Sequence, residues 1–139
     1  MIGRMTAQRR FKAYRIHEEN RKIVARFESL TLDDLTAGEV VVRVTHSGIN
    51  YKDALAATGA GRILRRYPLV GGIDFAGIVE SSGDARYTAG DPVLVTGCGL
   101  SETVDGGYSE IARVSGDAVI PLPPGLDARD TQQRIERGL

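Results

Sequence analysis

Apolar and polar residues alternate through the first part of the chain, and this is the period of a β-strand with one buried face. The alternation predicts strands at Phe11–Ile16 and Lys22–Phe27, joined as a hairpin by a polar turn at 18–21. The next apolar segment, Glu39–His46, is a nearly continuous run of β-branched residues. It predicts a strand buried on both faces. The chain therefore begins as an antiparallel β-structure.

Short apolar runs separated by Gly, Pro and Asp continue to the end of the pattern. They predict further strands at 73–81, 92–96, 107–114 and 117–122, with turns at 32–38, 81–84 and 89–91. One short helix is predicted from Tyr51 or Lys52 to Thr58, with Gly59 as its carboxyl-terminal cap. Many short strands with this punctuation predict a mainly β fold, either a barrel or a sandwich.

Composition narrows the class of protein. The 139 residues are 42% hydrophobic and 26% charged, which is typical of one globular domain. The formal net charge is zero, so we expect neither nucleic acid nor an anionic membrane as a partner. Cys98 is the only cysteine, which excludes a disulfide within the chain and favours the reducing cytoplasm. No run approaches the ~20 apolar residues that span a bilayer.

Two segments carry the most specific motifs. Ser47–Asp53 reads SGINYKD, and Gly71–Glu80 reads GGIDFAGIVE. Together they resemble the N-terminal, GroES-like catalytic domain of the medium-chain dehydrogenase/reductase superfamily. The zinc-dependent members of that superfamily have Cys at the position of Asn50 and a His-Glu pair at Ile73-Asp74. Because Asn and Ile cannot supply the ligands that zinc requires, the resemblance is to the zinc-free branch, and no metal is expected.

Further motifs resemble one subfamily of that branch, the acrylyl-CoA reductases and quinone oxidoreductases. These motifs are 62–68 (RILRRYP), 94–97 (LVTG), Gly106-Gly107 and 123–129 (PPGLDAR). The resemblance implies a partly open β-barrel with one or two short helices at residues 11–126, preceded by an extension at 1–10. It also implies NADPH as cofactor and an enoyl-CoA thioester or a quinone as substrate. The oligomeric state stays open.

The resemblance ends near Arg129, and residues 130–139 match no family pattern, so we expect 127–139 to be a divergent carboxyl-terminal tail. The nearest glycine clusters, 59–61 and 97–99, lack the third glycine of a dinucleotide-binding fingerprint. We therefore expect the substrate domain of a reductase without its Rossmann domain. We expect the chain to be a truncated or frame-shifted gene product, or a deliberately shortened one, and to be inactive alone. The alternative is a GroES-like module that stands alone as a binding or assembly unit without catalysis.

The resemblance also implies the site residues. Tyr51 is expected to contact NADP, and Asn50 is a candidate both for cofactor contact and for stabilising the charge that develops on the thioester oxygen. The alternatives are a Tyr51 packed with only its hydroxyl exposed and an Asn50 that caps the helix. Arg62, Arg65 and Arg66 are either a solvated loop or a clamp for the CoA phosphates.

For three further polar residues near these motifs, we favour a structural role. Asp53 falls in the first helical turn, where a carboxylate satisfies free N–H groups. Asp74 is expected to pair with an arginine or cap a backbone turn, and His46 to be a structural residue rather than a proton relay.

Overall fold

The computed structural model describes residues 9–122 of the chain. The strands and helices are β1 (Phe11–Glu19), β2 (Lys22–Leu30), β3 (Val40–His46), α1 (Tyr51–Thr58), β4 (Leu69–Val70), β5 (Asp74–Ser82), β6 (Pro92–Thr96), β7 (Ile111–Val114) and β8 (Ile120–Pro121). Two short 3-10 helices lie at Leu32–Asp34 and Gly116–Ala118. The predicted mainly β fold is confirmed.

The strands form two antiparallel sheets. The smaller sheet has the order β2-β1-β4 and the larger has the order β7-β3-β5-β6-β8. A single β-bridge from Ala13 to Ser109 connects the first sheet to the segment before β7. Neither sheet closes on itself, so the structure is an open form of the expected barrel. The predicted boundary at 126 and the segment 127–139 lie outside the described residues.

The first hairpin is longer than predicted. β1 and β2 pair over nine positions, from Phe11 opposite Leu30 to Glu19 opposite Lys22. Asn20 and Arg21 form the turn with φ values of 53° and 66°. Two consecutive residues with positive φ fit the right-handed twist of the strands, which explains the two-residue connection.

The central strand β3 is buried on both faces only at its start. Val40, Val41 and Val42 are buried, but Arg43 and Thr45 are exposed and Val44 is half-buried. Pairing with β5 shifts register after Val41 and again after Val44. The prediction of burial on both faces along the whole strand was therefore wrong for its second half.

The end of the described chain also differs from the prediction. β7 begins at Ile111 rather than 107, because the backbone N–H groups of Gly107 and Tyr108 donate to Gly72 and Gly71 instead of a sheet partner. The predicted strand at 117–122 is a 3-10 helix followed by the two-residue β8. The hydroxyl of Ser115 accepts the N–H of Asp117 and caps that 3-10 helix.

A small hydrophobic cluster holds the only α-helix of the described region against the smaller sheet. Ala56 of α1 packs with Ile16 of β1, with Leu64 of the loop after α1 and with Leu69 of β4, all nearly fully buried. Burial of a leucine side chain contributes about 1.5–3 kcal/mol, so this cluster fixes α1 and the loop at 62–69 together. The amino terminus of α1 and the basic loop are thereby positioned by the same core.

Candidate functional site

The site is built on the amino terminus of α1. Asn50 has extended backbone angles, φ −116° and ψ 159°, and its carbonyl accepts the N–H groups of Asp53 (3.0 Å) and Ala54 (3.2 Å). Gly59 ends the helix with φ 77°, a left-handed conformation that suits glycine. The predicted helix is confirmed at both ends, and Asn50 is its N-cap residue.

A buried carboxylate lies directly under this helix start. Asp53 is only 4% exposed. Its Oδ2 accepts the backbone N–H of Asn50 (3.1 Å) and the hydroxyl of Tyr108 (3.1 Å), and its Oδ1 accepts the N–H of Ile73 (3.0 Å). Asp53 therefore satisfies backbone N–H groups, as its place in the first turn indicates, and also joins α1 to two other segments.

A second buried carboxylate approaches the same place from β5. Asp74 is 3% exposed, and its Oδ1 accepts the backbone N–H of Gly48 (3.1 Å). The side-chain nitrogen of Asn50 lies 3.2 Å from Asp74 Oδ2 and 3.0 Å from Asp53 Oδ2. Asp74 thus caps a backbone turn, one of its two expected roles, and its carboxylate also holds the Asn50 amide.

Tyr51 projects away from the protein. Its side chain is 79% exposed, whereas its neighbours Lys52 and Asp53 in α1 are half-buried and buried. The alternative in which Tyr51 packs with only its hydroxyl in water is not what the structure shows. The phenol is therefore available to a ligand or to another polypeptide.

The basic loop forms a cleft together with Lys52 of α1. Its walls contain the two arginines Arg62 and Arg65 together with Lys52 and Glu102, and its volume is about 520 Å³. Lys52 forms an ion pair with Glu102. Lys52 and Glu102 were not predicted as site residues, because they lie fifty positions apart in the sequence and meet only in the folded chain.

Arg66 behaves differently from the other two arginines. Its Nε donates to the carbonyl of Thr103 (2.7 Å) and its Nη2 to the hydroxyl of Thr36 (3.2 Å). The loop is further fixed by the N–H of Arg65, which donates to the Glu102 carbonyl (2.8 Å). The structure therefore places Arg62 and Arg65 in one cleft and turns Arg66 toward the segment at Thr103.

A larger apolar cleft of about 670 Å³ opens beside α1. Aromatic rings of Tyr14, Phe27 and Tyr108 line it, and His46 stands at its wall. Phe27 is 69% exposed and its ring lies 5.0 Å from that of Tyr14. His46 Nδ1 lies 3.0 Å from the Thr45 hydroxyl. This cleft was not predicted, because Tyr108 comes from a segment distant in sequence from the β1–β2 hairpin that carries Tyr14 and Phe27.

Potential metal ligands are not clustered in this part of the chain. Within residues 9–122, no three His, Cys, Asp or Glu side chains converge on a common point. Residues 9–122 also contain no helix long and apolar enough to cross a membrane.

Comparison with known proteins identifies the architecture. Residues 36–124 match the alcohol dehydrogenase GroES-like domain family. The acrylyl-CoA reductase AcuI of Ruegeria pomeroyi is 50% identical over 112 residues, covering 81% of this chain and 34% of that protein. The quinone oxidoreductase of Mus musculus is 31% identical over 127 residues, covering 89% and 37%. The chain spans about a third of the length of these curated relatives.

Solved structures agree with the sequence matches. The YhdH oxidoreductase of Salmonella enterica in complex with NADP superposes with a TM-score of 0.83 at 45% identity, covering 87% of this chain and 37% of that one. Bacillus subtilis YhfP with NAD bound superposes with a TM-score of 0.85 at 39% identity, covering 90% and 38%. The resemblance of the sequence motifs to the acrylyl-CoA reductase and quinone oxidoreductase group is confirmed.

Proposed function

Because this chain belongs to the alcohol dehydrogenase GroES-like domain family, we propose that it forms the substrate domain of an NADPH-dependent oxidoreductase. The reaction is reduction of the activated C=C bond of an enoyl-CoA thioester, with a quinone as the neighbouring substrate class. The main support is the arrangement around α1, which carries the exposed Tyr51 next to the held amide of Asn50 and contributes Lys52 to the cleft of Arg62 and Arg65. The compartment we expect is the reducing cytoplasm.

Asn50 and Tyr51 form the part of the site assigned to the nicotinamide end of the cofactor. NADPH, when bound, supplies the hydride. The exposed phenol of Tyr51 donates a hydrogen bond to the nicotinamide or its ribose and thereby selects the face from which hydride leaves. The residues fit a polar, uncharged contact of this kind, because they offer an amide and a hydroxyl on a rigid helix start.

The proposed chemistry does not use zinc. An amide at Asn50 and a hydrocarbon at Ile73 are not zinc ligands, and the Asn50 nitrogen is already engaged by carboxylates. Charge that develops on the thioester oxygen must then be stabilised by hydrogen-bond donors of the protein.

Arg62 and Arg65 are assigned to the phosphates of the CoA moiety. Guanidinium groups bind phosphate oxygens through paired N–H donors, and the cleft they share with Lys52 is wide enough for a phosphate group. Arg66 is assigned a supporting part, since its bonds to Thr103 and Thr36 hold the loop that carries the other two. Glu102 opposes phosphate binding, because its carboxylate neutralises Lys52.

Calorimetric titration of the 139-residue chain with CoA tests the phosphate assignment. We expect saturable binding that falls in the variant Arg62→Ala with Arg65→Ala and is unchanged in the control Arg21→Ala, which removes an exposed arginine from the β1–β2 turn. Binding that is equally strong in both variants would contradict the assignment. Absence of CoA binding would favour a binding or assembly module instead.

A further inference from the structure

The amide of Asn50 is held between two buried carboxylates. Its nitrogen lies 3.0 Å from Asp53 Oδ2 and 3.2 Å from Asp74 Oδ2. A primary amide nitrogen carries two N–H donors and accepts nothing, so these two bonds use its full donor capacity. The only acceptor of this side chain is Oδ1, which carries two lone pairs; it faces the backbone N–H of Asp53 in the capping box of α1, which leaves one lone pair for another donor.

Charge determines which way this amide points. If the amide were rotated by 180°, its oxygen would face oxygens of both Asp53 and Asp74, which are 4% and 3% exposed. Acceptors facing each other in a buried environment are strongly unfavourable, because water cannot screen them. The observed orientation, with the nitrogen toward the carboxylates, is therefore the stable one.

The two carboxylates are themselves fixed by the backbone. The N–H of Ile73 binds Asp53 Oδ1 at 3.0 Å, and the N–H of Gly48 binds Asp74 Oδ1 at 3.1 Å. Each carboxylate thus turns Oδ1 to the main chain and Oδ2 to the Asn50 amide, and Asp53 Oδ2 also accepts the backbone N–H of Asn50 and the Tyr108 hydroxyl. Rotation of either carboxylate would break a backbone hydrogen bond, so the amide is held by a rigid pair.

We infer that Asp53 and Asp74 are positioning residues that make Asn50 a hydrogen-bond acceptor for the nicotinamide end of NADPH. This rests on the proposed function. The donors available on that end of the cofactor are the carboxamide N–H groups and the ribose hydroxyls, and Asn50 Oδ1 accepts from them. Asn50 then gives no proton to the thioester oxygen. The stabilisation of that oxygen, which the resemblance assigned to Asn50, must then come from other hydrogen-bond donors.

The substitution Asp74→Asn tests the inference with little change of shape. The new side chain keeps an oxygen that can accept the Gly48 N–H, but it turns an N–H group toward Asn50 and so favours the reversed amide. We expect this variant to weaken NADPH binding about five- to tenfold. The effect should disappear when Asp74→Asn is made in an Asn50→Ala background, because the residue it orients is then missing.

The measurement is a titration of the isotopically labelled 139-residue chain with NADPH, followed by nuclear magnetic resonance for the wild type, both single variants and the double variant. The control Asp33→Asn removes an exposed carboxylate from the 3-10 helix at Leu32–Asp34 and should bind as the wild type does. Side-chain amide signals of Asn50 should exchange slowly with water in the wild type and faster in Asp74→Asn.

Equal weakening in both backgrounds would overturn the inference alone, since Asp74 would then act through general stability. Freely exchanging Asn50 amide protons in the wild type would also overturn it. If NADPH causes no saturable shift in the wild-type chain, both the proposed cofactor contact and the inference are overturned. If Asp74→Asn unfolds, Asp74→Ser keeps an acceptor for Gly48 and replaces it in the same cycle.

Discussion

The hydroxyl of Tyr108 lies 2.7 Å from the carbonyl oxygen of Gly48 and so connects the segment before β7 to the segment before α1. The same hydroxyl lies 3.1 Å from Asp53 Oδ2. Glycine at 107 allows the backbone before Tyr108 to pass close to β5, because a Cβ at Gly107 would lie 2.7 Å from the Asp74 carbonyl oxygen. The Gly106-Gly107 motif therefore serves to bring Tyr108 against the site.

Tyr108→Phe should destabilise the protein by about 1 kcal/mol, since it removes a hydrogen bond but keeps the ring. Chemical denaturation measures this change. Tyr14→Phe is the matched control, because it removes the hydroxyl of a neighbouring tyrosine. The ring centroids of Tyr14 and Tyr108 are 6.4 Å apart. A larger loss in Tyr14→Phe than in Tyr108→Phe would contradict the role assigned to the Tyr108 hydroxyl.

Asp105→Ala should be among the most destabilising substitutions in the described region. The carboxylate is 6% exposed and accepts the N–H groups of Val70 (2.7 Å) and Thr36 (2.7 Å) and the Thr36 hydroxyl (2.8 Å). Its removal leaves two backbone donors without this partner, at about 1–3 kcal/mol each. Urea unfolding should show a loss of several kcal/mol, and the control Asp33→Ala, which removes an exposed carboxylate, should lose clearly less.

Gly77→Ala should destabilise the larger sheet. A Cβ at Gly77 would lie 2.3 Å from the Arg43 carbonyl oxygen on the paired strand β3, so the strands must move apart. Such overpacking typically costs about 1–3 kcal/mol. Gly83→Ala is the control, because its Cβ would have only ordinary contacts at 3.8 Å. Thermal unfolding that ranks Gly83→Ala as the more damaging change would refute this explanation.

Asp84 should titrate well below an ordinary aspartate. The Arg86 guanidinium donates to both carboxylate oxygens, which lowers the pKa of Asp84 from 3.8 to about 2. Because the folded-state pKa is the lower one, the ion pair stabilises the fold above pH 3.8, and this contribution is lost as the pH falls toward 2. Carboxyl carbon chemical shifts should give a midpoint near 2, and Arg86→Met should return it toward the ordinary value. An unchanged midpoint in Arg86→Met would contradict this cause.

Glu102→Gln should strengthen the binding of CoA. The substitution removes the negative charge that pairs with Lys52 in the cleft of Arg62 and Arg65 while keeping the volume of the side chain. One additional uncompensated cation near an exposed phosphate contributes up to about 1 kcal/mol, or roughly fivefold in affinity at low salt. Calorimetry at two ionic strengths measures the effect, and weaker binding in Glu102→Gln would contradict the assignment of this cleft.

Local patterns predicted those parts of the fold that depend on neighbouring residues. The β1–β2 hairpin follows from alternation, and α1 follows from a capping residue at Asn50 and a glycine at 59. Strand β4 was missed because two residues carry no periodicity, and its identity comes only from pairing with β1. β7 was placed too early because tertiary hydrogen bonds from Gly107 and Tyr108 replace sheet pairing.

The candidate site was likewise predicted only where it depends on residues close together in the sequence. Motifs marked Asn50, Tyr51 and the basic loop, since these residues follow one another in recognisable order. The shared contact of Asp53 and Asp74 with the Asn50 amide joins residues more than twenty positions apart, and no periodicity or propensity encodes it. The separation of Arg66 from Arg62 and Arg65 likewise depends on where Thr103 lies.

Turnover by a chimera tests the proposed function most directly. In this chimera, residues 11–122 replace the matching segment of the Ruegeria pomeroyi acrylyl-CoA reductase, and we expect it to reduce acrylyl-CoA with NADPH. Tyr51→Phe should lower kcat/KM about tenfold, as expected for one lost hydrogen bond, and the exposed hairpin control Lys22→Ala should leave kcat/KM unchanged. A folded chimera that binds NADPH but does not reduce acrylyl-CoA, or one that is insensitive to Tyr51→Phe, would contradict the proposed function.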